Sequence, residues 1–342
     1  MRIIILILIV SLLANGLFCQ TGGDNVYEFL NLVSSGRVTA LGGANVSLAG
    51  NDLNMSYHNP ALLSAEMDKA LALSYANYFA GINYGLVMYS ESLGKYGNLA
   101  GGLTYLNYGS FTEADPTGMI TGSFKAAEYA LSLIYARLID SSFSVGANFK
   151  PVLSQLERYS SFGFAIDVGG TWQNKKKNFM AGIVLKNIGV QLTTYAGEPH
   201  QKLPFEIQAG ISHKLVHAPL RLSLTLRNLQ TFDLSQYRES GDGNDKPGNA
   251  GFSNNLLKHI VPGLEIIPHK NFYISAGYNM RRRLELNTGS SGSAAGLTWG
   301  FGINTSLLDI EFGRAVYHVA GASTNISLIL RMNHIYKNNR PD

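Results

Sequence analysis

Between Leu220 and Arg227 the chain alternates without a break: Leu220, Leu222, Leu224 and Leu226 are separated by Arg221, Ser223, Thr225 and Arg227. A period of two gives two clean faces only on an extended strand, where successive side chains point to opposite sides. One face is pure leucine and the other carries two guanidinium groups, so the strand divides a strongly apolar medium from a polar one. A soluble β-sandwich does this with a leucine core; a membrane barrel does it with lipid outside and a polar lumen inside. Recurrence of the pattern, the alternation of connections and export of the chain decide between them.

The pattern recurs. Strand segments are predicted at Ala70–Tyr78, Ile82–Tyr89, Asn98–Tyr108, Phe124–Ile139, Phe143–Glu157, Gly163–Gln173, Phe179–Ile188, Pro204–Leu215, Leu220–Leu229, Lys258–Ile267, Phe272–Leu284, Ala295–Asn304, Leu308–Tyr317 and Thr324–Asn333. That is about fourteen, an even number, as a single-chain outer-membrane barrel requires. Connections Gly109–Ser123, Gly189–Leu203, Gln230–Leu257 and Glu285–Ala294 are long, while Asp140–Ser142, Val216–Pro219, Pro268–Asn271 and Thr305–Leu307 are short. Long and short thus fall on opposite rims, the asymmetry of outer loops against periplasmic turns. Tyr75, Tyr78, Tyr84, Tyr89, Tyr105 and Tyr108 lie near strand ends, where interfacial girdles form. Pro151 and Pro262 fit less well, because a strand proline removes a ladder donor and implies a bulge or break.

Composition agrees with a lipid-facing surface: only 15% of residues are charged, with 37 Gly, 18 Tyr and 16 Phe among 342. Residues 1–19 read as a secretory signal peptide, with Arg2, the apolar run Ile3 to Leu13 and an approach to cleavage at Leu17-Phe18-Cys19. Phe18 is too large for the small residue a lipoprotein site needs before its cysteine. Cleavage after Cys19 leaves no cysteine, so disulfides and thiolate chemistry are excluded. The formal charge of +4 falls by one with Arg2, too weak and scattered for nucleic acid. Beyond the leader no apolar run approaches the about 20 residues of a membrane helix, so spanning falls to strands.

The predicted division is 1–19 signal peptide, 20–66 N-terminal tail and plug segment, and 67–342 barrel. From Val26 to Ala65 the alternation is absent. Tyr27 to Leu32 reads as a helical turn or two, Gly42-Gly43 permits left-handed backbone, and Pro60 disfavours helix at Asn59. The segment is too apolar for a disordered tail and reads as a compact unit against the barrel.

Catalysis leaves a nucleophile, base and orienting group, or metal ligands at workable spacing. None is found, so no catalytic residue, metal site or cofactor is expected. The eight histidines form no metal-ligand pattern. Asp242-Gly243-Asn244-Asp245 starts like a calcium loop, but Pro247 stands where glycine is required and Ser253 where a bidentate glutamate belongs. Lys175-Lys176-Lys177 reads as a solvated turn. Arg281-Arg282-Arg283, on the predicted eleventh strand near the outer leaflet, suits lipopolysaccharide phosphates or, alternatively, a salt-bridge cluster in the lumen or at the rim. Partner contacts are expected on the long loops, with Phe232, Tyr237, Arg238 and Asp242 in the longest.

Several motifs carry a resemblance. Asn31-Leu32, Arg37-Val38-Thr39-Ala40-Leu41-Gly42-Gly43, Val46-Ser47-Leu48 and His58-Asn59-Pro60-Ala61-Leu62-Leu63 open the series. Leu106-Asn107-Tyr108-Gly109-Ser110-Phe111, Gly122-Ser123-Phe124, Lys186-Asn187-Ile188-Gly189 and His217-Ala218-Pro219 continue it. In this order, over nearly the whole mature chain, they resemble the PorQ family of the type IX secretion system of Bacteroidota. More distantly, Asn59-Pro60-Ala61 after a glycine-rich segment is similar to the hatch of FadL-type fourteen-strand barrels. The resemblance implies an integral bacterial outer-membrane barrel with Arg37, Gly42, Gly43, Asn59, Pro60 and Ala61 in a plug. It implies a non-enzymatic anchor for a PorZ-like surface protein beside the PorU sortase and the PorV barrel, where cargo is joined to lipopolysaccharide. The alternatives are a FadL-like channel for hydrophobic small molecules and a lipid-modifying enzyme with Ser and His brought together on one rim.

Overall fold

The computed structural model describes residues 25–78, 81–234, 252–285, 294–318 and 321–333. Fourteen antiparallel strands close into one barrel, each paired with its sequence neighbours and the first with the last. They are β1 (Ala70–Asn77), β2 (Asn83–Ser92), β3 (Asn98–Ala114), β4 (Ile120–Leu138), β5 (Phe143–Leu156), β6 (Tyr159–Gln173) and β7 (Phe179–Thr193). The second half is β8 (Glu206–Lys214), β9 (Leu220–Leu226), β10 (Ile260–His269), β11 (Phe272–Tyr278), β12 (Leu297–Asn304), β13 (Leu308–His318) and β14 (Gly321–Arg331). Each corresponds to one predicted segment. Closure settles the question the alternation left open, because a sandwich keeps edges and this sheet has none.

The leucines of β9 face outward, with Leu222 48% exposed, while Arg221 and Arg227 turn inward to carboxylates. The same division runs round the wall. Leu73, Val87, Leu103, Leu131, Leu133, Val145, Leu153, Ile183, Ile211, Ile274, Trp299 and Ile326 are exposed, and Ser132, Asn148, Lys150, Gln208, Glu265, Glu311 and Ser327 are buried. Stable only where the exterior is apolar, this inverted pattern is that of a barrel in lipid.

Connections on one rim, here the lower, are short: 93–97, 139–142, 174–178, 215–219, 270–271 and 305–307. The upper rim carries the longer stretches 194–205, 227–259 and 279–296, the last two holding helices α3 (Phe252–Lys258) and α4 (Met280–Glu285). The structure corrects several expected boundaries. Most of Gly109–Ser123 is strand, not loop, since β3 and β4 run on as a hairpin past the end of β2, which stops at the Asn83–Asn107 pair. Phe111 and Phe124 stack at 5.2 Å there, and the Asp115 carboxylate accepts the backbone N–H groups of Thr117 and Met119 to close the turn. β7 likewise continues to Thr193.

Pro151 and Pro262 cause no register shift. The β4–β5 ladder lapses opposite Pro151 and resumes in the same register, while the β10–β11 ladder begins one residue past Pro262. Each missing donor therefore falls where a ladder has a gap or an end. Tyr78 and Tyr84, expected in a girdle, are buried inside at 5% and 1% exposure, because their positions point to the lumen.

Candidate functional site

Residues 26–63 are buried almost throughout, with short helical pieces at Glu28–Asn31, α1 (Gly36–Ala40), α2 (Met55–His58) and Pro60–Leu62. Their contacts locate them. The Val26 N–H donates to the Lys202 carbonyl at the upper rim, and the Ser92 N–H donates to the Asp68 carboxylate at the lower. In between, the segment touches inward-facing residues on β1, β5 to β8 and β10 to β14. Contact on so many sides is possible only from within the lumen.

The wall is cut to receive this backbone. A methyl group built on Gly182 would lie 2.2 Å from the Val46 carbonyl oxygen, and one on Gly313 2.0 Å from that of Gly36. On Gly277 it would lie 2.3 Å from the Gly42 nitrogen, and on Gly146 2.5 Å from the Pro60 carbonyl carbon. Glycine inside a strand weakens it, and close approach of another backbone is the compensating reason to keep it. Glycines at inward positions of alternating strands are the sequence trace of these seats. On β1 small inward residues do the same work: Ala70, Ala72 and Ala76 join one apolar cluster with Leu30, Leu53, Tyr57 and Met67 of the segment.

The lumen is thus two-sided. Opposite the apolar cluster on β1 to β4 runs a chain of buried charges. Arg37 donates to Glu265 at 2.8 and 3.1 Å, a bidentate pair, and Arg221 donates to the same carboxylate at 2.7 Å. The Arg37 guanidinium also lies 4.7 Å from the ring centre of Tyr273, whose hydroxyl donates to Glu311 at 3.1 Å. Arg227 forks onto Glu206 at 2.8 and 2.9 Å. Farther round, Lys150, 1% exposed, pairs with Asp167 at 2.7 Å, and that carboxylate also accepts the Asn187 N–H. Asn187 sits at a positive φ of 58° where the β6–β7 register shifts, and its amide donates to Asn31 at 2.8 Å. A bulge here aims one side chain at the segment.

Of the residues singled out in the sequence, the lumen gathers six. Arg37 is in the charge chain. Gly42 and Gly43, at φ 92° and 83°, turn the segment beneath α4, where the Asn279 amide donates to the Gly42 carbonyl. Asn59 donates to the Val46 carbonyl and accepts from the Ala61 N–H, holding Pro60 and Ala61 against β5 and β6. Arg281, Arg282 and Arg283 are not on β11, which ends at Tyr278; they lie in α4 at the upper mouth. The chain leaves the wall there, and the salt-bridge alternative at the rim fits Arg281, whereas Arg282 meets a hydroxyl and an aromatic ring. Arg281 pairs with Glu285 at 2.9 Å, and Arg282 donates to the Tyr317 hydroxyl at 2.9 Å with its guanidinium 3.9 Å from that ring centre. Phe232 is exposed and packs against Phe252 and His259. Tyr237, Arg238 and Asp242, with the calcium-like stretch, lie outside the described residues, as do the leader and residues 20–24. Among the described residues no group of His, Cys, Asp and Glu could hold a metal ion.

No family model matches the chain, and no curated protein matches it in sequence. Solved structures do match. The toluene transporter TbuX of Ralstonia pickettii aligns with a TM-score of 0.52 at 11% identity, over 89% of this chain and 98% of that one. The P. putida toluene transporter TodX gives 0.52 at 10% identity, over 90% and 98%. A Pseudomonas aeruginosa FadL homologue aligns at 0.47 and 11%, over 86% and 97%. At such identities the likeness concerns the fold alone: a closed fourteen-strand antiparallel barrel like those of FadL-type outer-membrane proteins.

Proposed function

We propose that the chain is an integral, non-enzymatic outer-membrane barrel in which residues 26–66 act as a permanent plug, and that it works as a rigid anchor for a surface-attachment complex of the type IX secretion kind. The observation that carries the reading is the interlock of segment and wall. Backbone seated on wall glycines and buried ion pairs from Arg37 to Glu265 suit a fixed scaffold better than a conduit. The ordered likeness to the PorQ family supports the particular assembly, with a PorZ-like protein, a PorU sortase and a PorV barrel as partners and lipopolysaccharide nearby. The longer upper-rim connections are then extracellular.

A second reading is favoured by the comparisons: TbuX and TodX, whose folds this barrel shares, are toluene transporters. On that reading hydrophobic small molecules pass along the apolar side of the lumen, between β1 to β4 and the ring of Leu30, Leu53 and Tyr57, once the segment shifts. Affinity purification of the tagged full-length protein from native outer membranes separates the two. A stoichiometric surface-protein partner with unchanged hydrocarbon uptake in a deletion strain supports the anchor. Purification as a lone barrel, with loss of uptake on deletion, supports the conduit.

A further inference from the structure

A cavity of about 430 Å³ opens across β3, β4 and β5. It lies on the outside of the wall, because its lining residues Tyr105, Asn107, Lys125, Ala127, Tyr129 and Gln155 are in phase with the exposed Leu103, Leu131 and Leu153 of the same strands. The ladders set these residues in rows. Tyr105, Tyr129 and Leu153 pair across one row, and Asn107, Ala127 and Gln155 across the row above. Three strands therefore change from apolar to polar at one level. The hollow has a local cause: Ala127 places only a methyl group between two amides, and the register shift between Asn107 and Ser110 bends β3 just above it.

The outward face of β4 fixes the height of that level. Upward it reads Arg137, Tyr135, Leu133, Leu131, Tyr129, Ala127 and Lys125. Between its two cations, at about 3.3 Å per residue and a strand tilt of about 40°, the wall rises roughly 30 Å, the thickness of a hydrocarbon core. Lys125 and the hollow thus stand at the headgroup level of the upper leaflet. Lys125 is exposed, and among the described residues no carboxylate pairs with it, whereas Glu157, also on the cavity, is met by Arg158 at 3.3 Å. The rings of Tyr105 and Tyr129, 5.0 Å apart, form the lower edge. The Asn107 side-chain oxygen accepts the Gly109 N–H at 2.8 Å, which leaves its NH2 group to donate outward.

We infer that this hollow seats the phosphosugar headgroup of a membrane lipid. Its phosphate meets Lys125, its ring hydroxyls meet the Asn107 and Gln155 amides, and its acyl chains run down the wall over Leu103, Leu131 and Leu153. Continuity with the lipid-facing band selects a lipid over a soluble ligand, and the lone cation selects an anionic one. The volume exceeds what a phosphate or a glycerol phosphate fills, and paired amides above an aromatic edge suit a sugar. The inference rests on the membrane placement of the barrel, which both readings of its function share.

The test titrates the full-length barrel, in non-ionic detergent, with lipid A, phosphatidylglycerol and phosphatidylcholine, and counts retained lipid by native mass spectrometry. Heat-modifiable migration checks that the wall is closed in every sample. Lipid A should be retained in preference to both phospholipids. Retention should fall about fivefold in Lys125→Gln, as loss of one partly exposed ionic contact predicts, and further in Ala127→Trp, which fills the hollow from outside the wall. Arg137→Gln, at the opposite headgroup level, should leave it unchanged. Either phospholipid held as well as lipid A, an equal fall in Arg137→Gln, or a closed barrel that retains no lipid overturns the inference. A parent protein that stays folded and dispersed without detergent would instead remove the membrane placement, and the site with it.

Discussion

Glu265 is the acceptor on which two guanidinium groups converge inside the wall, one from the segment and one from β9. Taking away one partner of a buried pair leaves the others uncompensated, which costs about 3–5 kcal/mol. Glu265→Gln should therefore lower the unfolding free energy of the refolded barrel, read from its urea transition, by an amount of that order, and the double variant with Arg37→Gln should lose less than the two single losses added together. A loss in the double variant equal to the sum of the two single losses would mean the pair is not coupled. On the outer surface the sign of the argument reverses. Leu222, in the middle of β9, faces outward at 48% exposure. Leu222→Arg should cost about 2–4 kcal/mol in a bilayer if it sits near the midplane. Folding into lipid vesicles with and without the substitution measures this, and no loss would place the β9 face outside the hydrocarbon.

At the scale of elements, the β3–β4 hairpin stands apart. Beyond the Asn83–Asn107 pair it loses β2 as a neighbour, and its turn residues 115–119 make local contacts within the hairpin. Replacing 115–119 by a two-residue Asn-Gly turn should leave the barrel's heat-modifiable migration on gels unchanged, because a hairpin beyond the wall adds nothing to closure. The inward glycines predict the opposite. Gly182→Ala with Gly313→Ala drives two methyl groups into segment backbone at about 2 Å, and these atoms cannot yield as a flexible side chain would. The wall should still close while residues 26–63 become cleavable by added protease; resistance equal to the parent would show that the segment tolerates the shift.

For the whole molecule, the proposed plug makes one prediction: the intact protein should give no stable conductance in planar bilayers, and a chain lacking 26–63 should give open-pore steps. Conductance of the intact chain at the level of the deletion would remove the plug reading. The wall was legible in the sequence, and for a physical reason. Each strand of a barrel meets lipid on one face and polar lumen on the other, so the alternation at Leu220–Arg227 is a local record of a global boundary. Fourteen segments and short lower turns followed from that period. The interior was less legible. Arg37, Asn59 and Gly42-Gly43 could be picked out in the segment, but Glu265, Glu206, Lys150 with Asp167, and the glycine seats are scattered across strands whose partners lie up to hundreds of residues away. Sequence by itself determined a wall of two-faced strands, since periodicity is a property of neighbouring residues; that the wall closes rests on the pairing of the first strand with the last. Tertiary structure alone decided what fills it, which charges meet, and that Arg281 to Arg283 leave the wall for the mouth, since those depend on which distant strands closure brings face to face.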